Sequence, residues 1–417
     1  MSLETELMAA LGRVRLAARQ LAQAEREQKD RAMVELAALV RERRALLLEA
    51  NAADLERARQ AGVTRAFLDR LALDEGRLEA MARGVEEIAR LADPVGETMA
   101  RWRRPNGLEI VQVRVPIGVI AVIFEARPNV TIDAGALCVK AGNGAVLRGG
   151  KEALATNGLL AGLIGESLER VGLKREAVYF VANPDREAVQ LLKRHPEAVD
   201  VIIPRGGAAL KEALQRSAVP LLPHFDGICH TYVDRAADLD MAVEICFNAK
   251  CSRPSVCNAM ENLLVHAAVA PQFLARLAPR LSAAGVEIRG CPRTCALVPY
   301  ALAAAETDWD TEYLDLRLAV KVVDSLEEAI AFVARHGSGL ADAIVTEDAA
   351  AARRFEREVD SATVYVNAST RFTDGYEFGF GAETGISTNR LHARGPMGLR
   401  ELTTYKYLVR GQGQVRR

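Results

Sequence analysis

The sequence VPIGVIAVIFEARPNV, residues 115–130, contains the pattern that most clearly indicates the fold class. Its apolar centre, residues 119–124, shows no polar alternation, which predicts a short strand buried on both faces. A polar group follows at residues 125–129, and an apolar segment that runs on to Lys140 predicts a helix. A buried strand that leads directly into a helix is the repeating unit of a parallel α/β sheet.

The same alternation of short apolar strands and helical segments continues along the chain. The further predicted strands are 145–147, 178–181, 199–203, 229–233, 263–265, 318–323, 343–345 and 362–366. This pattern predicts an α/β fold with two parallel sheets, each covered by helices on both faces. Pro220 and Pro223 interrupt the pattern and mark the predicted boundary between the two sheets.

Both ends of the chain differ from this pattern. The first hundred or so residues carry apolar side chains at helical spacing, as at Leu7, Leu11 and Val14, and predict a helical layer. Residues 371–396 are rich in Gly, Thr and Phe and predict a long irregular segment with a functional role. Residues 402–409 resemble an edge strand that could pair with another subunit.

Composition excludes several functional classes. The 417 residues carry 54 basic and 55 acidic side chains, for a net charge of −1, so neither nucleic acid nor a membrane surface is expected as a partner. No apolar run approaches the ~20 residues that span a bilayer. The acidic first residues lack a signal-peptide core, which predicts a cytoplasmic location.

The seven cysteines are an odd number, which argues against a disulfide framework. Cys291 and Cys295 have a spacing close to that of zinc ligands, but no second pair completes four ligands, and we predict no metal site. Cys257, in the polar stretch SVCNA at residues 255–259, is a candidate nucleophile because Arg253 and a turn could favour its thiolate. A structural cysteine remains the alternative.

Asn129 lies directly after the predicted strand 119–124, where ligands gather in parallel sheets. Its amide could donate a hydrogen bond to a developing oxyanion. The alternative is a simple cap of the helix that begins there.

Glycine pairs with cations follow two of the predicted strands. Arg148, Gly149, Gly150 and Lys151 come after strand 145–147, and Gly206 and Gly207 come after strand 199–203. Glycines and cations at helix starts are suited to phosphate groups, so these segments predict a nucleotide site. Flexible turns with solvated charges are the alternative, and the common dinucleotide motif G-x-G-x-x-G is absent after any predicted strand.

Taken together, these segments resemble the aldehyde dehydrogenase superfamily, and within it the branch that reduces γ-glutamyl phosphate. The resemblance covers nearly the whole chain. It is carried by VPIGVI (115–120), EARPNV (125–130), RP (253–254), VCNA (256–259), NASTRFTDG (367–375), GIST (385–388) and HARGPMG (392–398). The chain departs from the branch at Phe332 and Leu340, where histidines are expected, so no chemistry is assigned to histidines at those positions.

The resemblance implies two Rossmann-like domains and a small β element for oligomerisation. Residues 1–225 would bind NADP(H), with 105–116 in the oligomerisation flap. Residues 226–375 would form the catalytic domain with Cys257. Residues 376–417 would return to the cofactor domain and the oligomer interface.

The implied reaction is the NADPH-dependent reduction of L-glutamyl 5-phosphate to glutamate 5-semialdehyde and phosphate, the second step of proline synthesis from glutamate. Cys257 would form a thioester, Asn129 and the Cys257 amide would hold the oxyanion, and Glu312 would hold the nicotinamide ribose. NAD-using relatives place a carboxylate where this chain has Arg148 to Lys151, which favours NADPH. The substrate-binding candidates are Arg127, Arg253, Ser369, Thr370 and Arg371, and structural ion pairs are the alternative for each arginine.

Hydrolytic aldehyde dehydrogenases keep a glutamate base in the segment that aligns with residues 223–227, PHFDG, and this chain has none. An oxidising aldehyde dehydrogenase, hydrolytic or CoA-acylating, remains the alternative enzyme, and a non-catalytic scaffold is the third hypothesis. The implied partners are a second copy of the chain, as a dimer or tetramer, and glutamate 5-kinase.

Overall fold

The computed structural model describes residues 2–125, 127–223 and 226–416. The chain forms two compact units. Unit 1 comprises Met1–Phe225, Gly379–Gly385 and Met397–Arg417, and unit 2 comprises Asp226–Phe378 and Ile386–Pro396. Across the described ranges, no helix is long and apolar enough to cross a membrane.

A helical layer begins unit 1, as the apolar spacing predicts. Ser2 caps the first helix, because its hydroxyl accepts a hydrogen bond from the Thr5 amide at 3.2 Å. Asp74 caps the last in the same way, by accepting from the Arg77 amide at 2.7 Å. The helices are α1 (Leu3–Leu21), α2 (Arg26–Glu42), α3 (Arg44–Gln60), α4 (Arg65–Leu71) and α5 (Glu75–Arg90).

Two antiparallel strands follow, β1 (Thr98–Arg103) and β2 (Glu109–Pro116). The β-branched residues Ile110, Val111, Val113 and Val115 predict β2, whereas no such pattern marks β1. The residues of β1 are mostly exposed, so they lack the buried face that gives a strand its alternating pattern.

The parallel sheet of unit 1 has the strand order β5-β4-β3-β6. Strands β4 and β5 are added on one side of β3, and β6 is added on its other side. Ligands of open α/β sheets bind at such a point, where the strand order reverses. Strand β6 begins two residues later than predicted, because the Val199 amide closes a turn on the His195 carbonyl at 3.1 Å. The elements are β3 (Val119–Phe124), α6 (Pro128–Lys140), β4 (Gly144–Arg148), α7 (Leu154–Arg170), β5 (Val178–Phe180), α8 (Arg186–Leu192), β6 (Val201–Arg205) and α9 (Ala208–Ala213).

The sheet of unit 2 is also parallel, with the order β10-β9-β11-β8-β7-β12-β13. Its central strands β7 and β8 are buried along almost their whole length, although they carry polar residues such as His230 and Glu261 among their apolar ones. The short strands β9 and β10 lie at one edge and are absent from the predictions. The elements are β7 (Cys229–Val233), α10 (Leu239–Cys251), β8 (Met260–His266), α11 (Ala270–Ala283), β9 (Glu287–Gly290), α12 (Pro292–Leu297), β10 (Leu302–Ala303), β11 (Arg317–Val323), α13 (Leu326–His336), β12 (Ala341–Val345), α14 (Ala349–Glu358) and β13 (Thr363–Val366).

The C-terminal segment is divided between the units, with Gly379–Gly385 and Met397–Arg417 in unit 1 and Ile386–Pro396 in unit 2. The sequence predicts that residues 376–417 return to the cofactor domain and the oligomer interface. Strands β14 (Ile386–Ser387) and β15 (Gly395–Pro396) pair within unit 2, where Arg390 and Arg394 both form ion pairs with Asp360. The predicted edge strand is β16 (Thr403–Arg410), which pairs with β2 of its own chain. Short 3-10 turns occupy Lys151–Ala153, Arg175–Ala177, Glu306–Asp310 and Thr370–Phe372.

Candidate active site

Cys257 lies in the turn between α10 and β8, at the amino end of the strand. The residue is half-buried, whereas Asn258 and Ala259 after it are buried. The side chain therefore keeps part of its surface in contact with solvent while the backbone that follows is held in the core of unit 2.

The loop before β7 packs against the backbone of Cys257. A Cβ atom on Gly227 would lie 2.7 Å from both the Cα and the carbonyl carbon of Cys257, so only glycine fits at this position. The Cys229 Sγ donates a hydrogen bond to the Cys257 carbonyl oxygen at 3.3 Å. These contacts position the candidate nucleophile from the side of β7.

The predicted substrate residues after β13 hold the same turn from the other side. The Thr370 hydroxyl donates to the Asn258 carbonyl at 2.7 Å, and the Asn258 side-chain amide donates to the Thr373 carbonyl at 2.9 Å. The Arg371 guanidinium donates to the Asn258 side-chain oxygen. Ser369 accepts from the Arg371 amide at 3.3 Å. The polar groups of these side chains are already hydrogen-bonded within the chain. This favours a positioning role for Thr370 over direct contact with substrate.

Two arginines surround the cysteine turn with positive charge. Arg371 Nε donates to the Ser252 hydroxyl at 3.1 Å, and Arg371 interacts electrostatically with Arg253 and with Cys257. Burial lowers the pKa of Arg371, and the neighbouring Arg253 lowers it further. An arginine keeps its charge at neutral pH despite such a shift, so the turn lies in a cationic environment of the kind that favours a thiolate.

Glu312 is joined to this turn through Gly227. Its Oε1 accepts a hydrogen bond from the Gly227 amide at 2.9 Å. Burial raises the pKa of Glu312 to about 7; the Gly227 amide opposes the shift and Asp226 adds to it. The carboxyl group is thus placed to change its charge near neutral pH. Its role in holding a nicotinamide ribose stays a prediction.

The sequence does not point to Lys250 and Glu261, which form a buried ion pair whose carboxylate interacts electrostatically with Glu312. The Lys250 ammonium lies 2.6 Å from the Glu261 carboxylate, and both side chains are fully buried. The other carboxylate oxygen of Glu261 accepts from the Leu314 amide at 3.1 Å and so holds the segment that carries Glu312. A glutamate inside the apolar strand β8 is the sequence signal that could have indicated this pair.

His230 is a further buried polar residue of unit 2. Its Nδ1 lies 2.8 Å from an oxygen of Asp342, and its Nε2 lies 3.2 Å from the Asn262 side-chain amide. With both ring nitrogens bonded, we assign His230 to the core of unit 2. His224 and Phe225, in the segment that lacks the glutamate base, lie outside the described residues.

In unit 1, the predicted cofactor residues 148–151 lie at the carboxyl end of β4. Arg148 Nη2 donates to the Pro184 carbonyl at 2.6 Å and so holds the loop before α8. A Cβ atom on Gly149 would lie 3.0 Å from the Phe124 ring and would also overlap the Asn157 amide. Asn157 is fully buried and, in the described part of the chain, neither atom of its amide has a hydrogen-bond partner.

The second glycine pair lies at the carboxyl end of β6, beside β3. The Gly207 amide donates to the Glu125 carboxylate at 3.0 Å. Asn129 is the second residue of α6, and its side chain donates to Asp133 at 3.3 Å. The capping explanation for Asn129 is therefore wrong, because the helix cap is Arg127, which makes no side-chain cap bond. The predicted role of Asn129 at an oxyanion stays untested.

Sequence comparison gives the class of this fold and site. A profile of the aldehyde dehydrogenase family matches residues 3–293 and 318–408. The chain is 53% identical over 405 residues to the γ-glutamyl phosphate reductase of Moorella thermoacetica, covering 97% of both chains. It is 52% identical over 416 residues to that of Syntrophomonas wolfei, covering 100% of this chain and 99% of the relative.

A solved structure extends the similarity. The γ-glutamyl phosphate reductase of Thermotoga maritima superposes with a TM-score of 0.97 at 46% identity, covering 99% of this chain and 100% of the other. The chain therefore belongs to the aldehyde dehydrogenase family of oxidoreductases, and within it to the γ-glutamyl phosphate reductases. The predicted α/β fold with two parallel sheets and a small antiparallel sheet is confirmed.

Proposed function

We propose that this chain reduces L-glutamyl 5-phosphate with NADPH, through a thioester on Cys257. The observation that best supports the proposal is the turn of Cys257, which the chain holds from two sides and surrounds with Arg253 and Arg371. The names of relatives that match over nearly the whole chain support the substrate.

Cys257 Sγ, as the thiolate, attacks the carbonyl carbon of the acyl phosphate and forms a carbon–sulfur bond. The carbon–oxygen bond to phosphate breaks, and phosphate leaves with the electron pair. The backbone amide of Cys257 is a candidate donor to the oxyanion, since Gly227 and Asn258 hold this backbone in place. The two arginines complement the anionic substrate and phosphate.

The described residues of unit 1 fit a nicotinamide dinucleotide. The unpartnered amide of Asn157, the close approach at Gly149 and the positive charges of Arg148 and Lys151 all suit a phosphate-bearing ligand at the end of β4. When bound, NADPH supplies the hydride that converts the thioester to the aldehyde.

The test is the dependence on inorganic phosphate in the reverse direction. With glutamate 5-semialdehyde and NADP+, the purified protein should form NADPH only when phosphate is added, because phosphate is the acceptor that releases the acyl group from Cys257. The measurement is absorbance of NADPH across a phosphate titration, with sulfate at equal ionic strength as the control.

Equal turnover in sulfate would overturn the proposal. In that case free glutamate as the product would indicate a hydrolytic aldehyde dehydrogenase, and a requirement for CoA would indicate an acylating one.

Protonation of Glu312 should produce an acid limb in the pH profile of kcat/KM. The bond from Gly227 to the ionised carboxylate is present above a pKa of about 7 and weakens as the pH falls through that value. We expect kcat/KM to fall below about pH 7 in the native protein. Glu312→Gln should lose that limb and react about tenfold more slowly, the effect of a charge-assisted bond worth ~1.5 kcal/mol.

The control for this prediction is Glu306→Gln, which changes an exposed carboxylate in the preceding 3-10 turn. Its pH profile should match that of the native protein. An acid limb that persists unchanged in Glu312→Gln would assign the titration to another group.

We further propose a homo-oligomer built on β2 and the edge strand β16, whose Tyr405, Tyr407 and Val409 are exposed. We propose a cytoplasmic location, because a reducing compartment keeps the thiol of Cys257 active. Glutamate 5-kinase would then supply the acyl phosphate.

A further inference from the structure

A cavity of about 510 Å³ lies at the carboxyl ends of β4 and β5 in unit 1. It includes the start of α7 and one side chain from the helical layer, Arg57 of α3. The residues that line it include Arg57, Lys151, Leu154, Gly158, Leu159 and Phe180.

The floor of the cavity is apolar and its rim is cationic. Leu154, Leu159 and Phe180 are half-buried, and Gly158 leaves room beside the Phe180 ring, 3.6 Å from the place of a Cβ atom. Arg57 and Lys151 are both exposed. A flat apolar surface beside two cations suits an aromatic base that carries a nearby phosphate.

The amino end of α7 cannot itself serve this anion, because the chain has already capped it. The buried Asp54 carboxylate accepts from the Thr156 amide at 2.8 Å and from the Thr156 hydroxyl at 2.7 Å. It also accepts from the Ala155 amide at 3.4 Å. A negative ligand in the cavity must therefore be bound by side-chain cations rather than by the helix terminus.

Asp54 also fixes Arg57. The Arg57 guanidinium forms an ion pair with Asp54 through one terminal nitrogen, one helical turn away. The carboxylate charge is partly offset by the amides of α7, and the guanidinium has further N–H donors for a second anion. The arginine is thus held at the cavity by a buried anchor.

We infer that Arg57, with Lys151, binds the 2′-phosphate of the adenosine part of the cofactor and so selects the phosphorylated dinucleotide. The inference rests on the proposed use of NADPH. It assigns cofactor selection in part to the N-terminal helical layer, outside the parallel sheet. Arg148 has a different task, since its guanidinium holds the Pro184 carbonyl.

The experiment is calorimetric titration of the full chain with adenosine 2′,5′-bisphosphate and with adenosine 5′-monophosphate, which differ only in the 2′-phosphate. Arg57→Ala should weaken binding of the bisphosphate about tenfold or more and change binding of the monophosphate less than about twofold. Arg57→Lys should lie between. The matched control is Arg59→Ala, since Arg59 is on the same helix, is exposed and pairs with Glu56.

The titrations distinguish a failure of the role of Arg57 from a failure of the cofactor proposal. Native affinity for the bisphosphate in Arg57→Ala, together with a loss in Lys151→Ala, would overturn the role of Arg57 and leave the cofactor proposal standing. Equal affinity of the native protein for both probes would overturn the 2′-phosphate site altogether. A parallel loss for both probes in Arg57→Ala would show that the arginine only supports the cap of α7.

Discussion

Replacing Cys257 by alanine is expected to lower turnover by a factor on the order of 10³ or more, because no thioester can form without the nucleophile. The nearby thiols of unit 2 are poor substitutes. Burial raises the pKa values of Cys229, Cys246 and Cys251, which keeps these thiols protonated and unreactive at neutral pH.

The fold should survive this substitution. Cys257 is half-buried, and the contacts that order its turn are made by its backbone, through Gly227 and the Cys229 thiol. Alanine keeps that backbone. We expect the melting temperature to fall by only a few degrees, about what a loss of ~1 kcal/mol causes in a chain of this size.

The measurement combines the phosphate-dependent assay with intact-mass analysis after acid quenching. The native protein incubated with acyl phosphate in the absence of cofactor should gain the mass of one glutamyl group, and Cys257→Ala should gain none. Cys251→Ala, at the end of the preceding helix, is the matched control and should keep activity within about twofold. Native turnover in Cys257→Ala would refute the proposed mechanism.

Much of the fold can be read from the sequence because both sheets are parallel and buried. Strand β3 is a continuous apolar run, and the structure gives both β3 and β7 the predicted bounds. The strands that escape prediction are peripheral. β1 is mostly exposed and β10 has only two residues, so neither has an apolar face to detect.

The candidate site is harder to predict from the sequence, because the contacts that order it join residues that are far apart in the chain. Asn129 follows a strand and resembles a helix cap, yet it lies two positions past the cap residue Arg127, inside α6. Asp54 caps α7 from a helix about a hundred residues away in sequence. No local sequence pattern can reveal a cap or an ion pair of this kind. The longer segments that resemble the aldehyde dehydrogenase superfamily, by contrast, indicate Cys257 and the residues around it.

Breaking the buried pair of Lys250 and Glu261 is expected to have the largest effect on stability. Both side chains are fully buried, so Lys250→Met leaves a carboxylate without its cation inside unit 2. The cost of such a change is about 3–5 kcal/mol. The exposed pair of Arg276 and Asp240 is the control, and Arg276→Met should cost less than about 1 kcal/mol.

A double substitution separates charge from packing. Lys250→Met with Glu261→Gln removes both charges, and the glutamine oxygen can still accept from the Leu314 amide. Replacement of a whole buried pair by neutral groups is often nearly neutral, so we expect the double variant to recover most of the lost stability. Urea unfolding of the four proteins measures this, and equal losses in the single and double variants would contradict it.

The pH dependence of the stability of Lys250→Met distinguishes an electrostatic cost from a packing cost. Burial raises the pKa of Glu261 in the native protein, while Lys250 opposes the shift. In Lys250→Met that opposition is gone, so the folded carboxyl group holds its proton to a higher pH than the unfolded one. Folding then takes up a proton, and the stability of the variant falls as pH rises between about pH 5 and pH 8. The cost of Lys250→Met should therefore be small at about pH 5 and grow with pH, whereas a cost that came from lost packing would be the same at every pH.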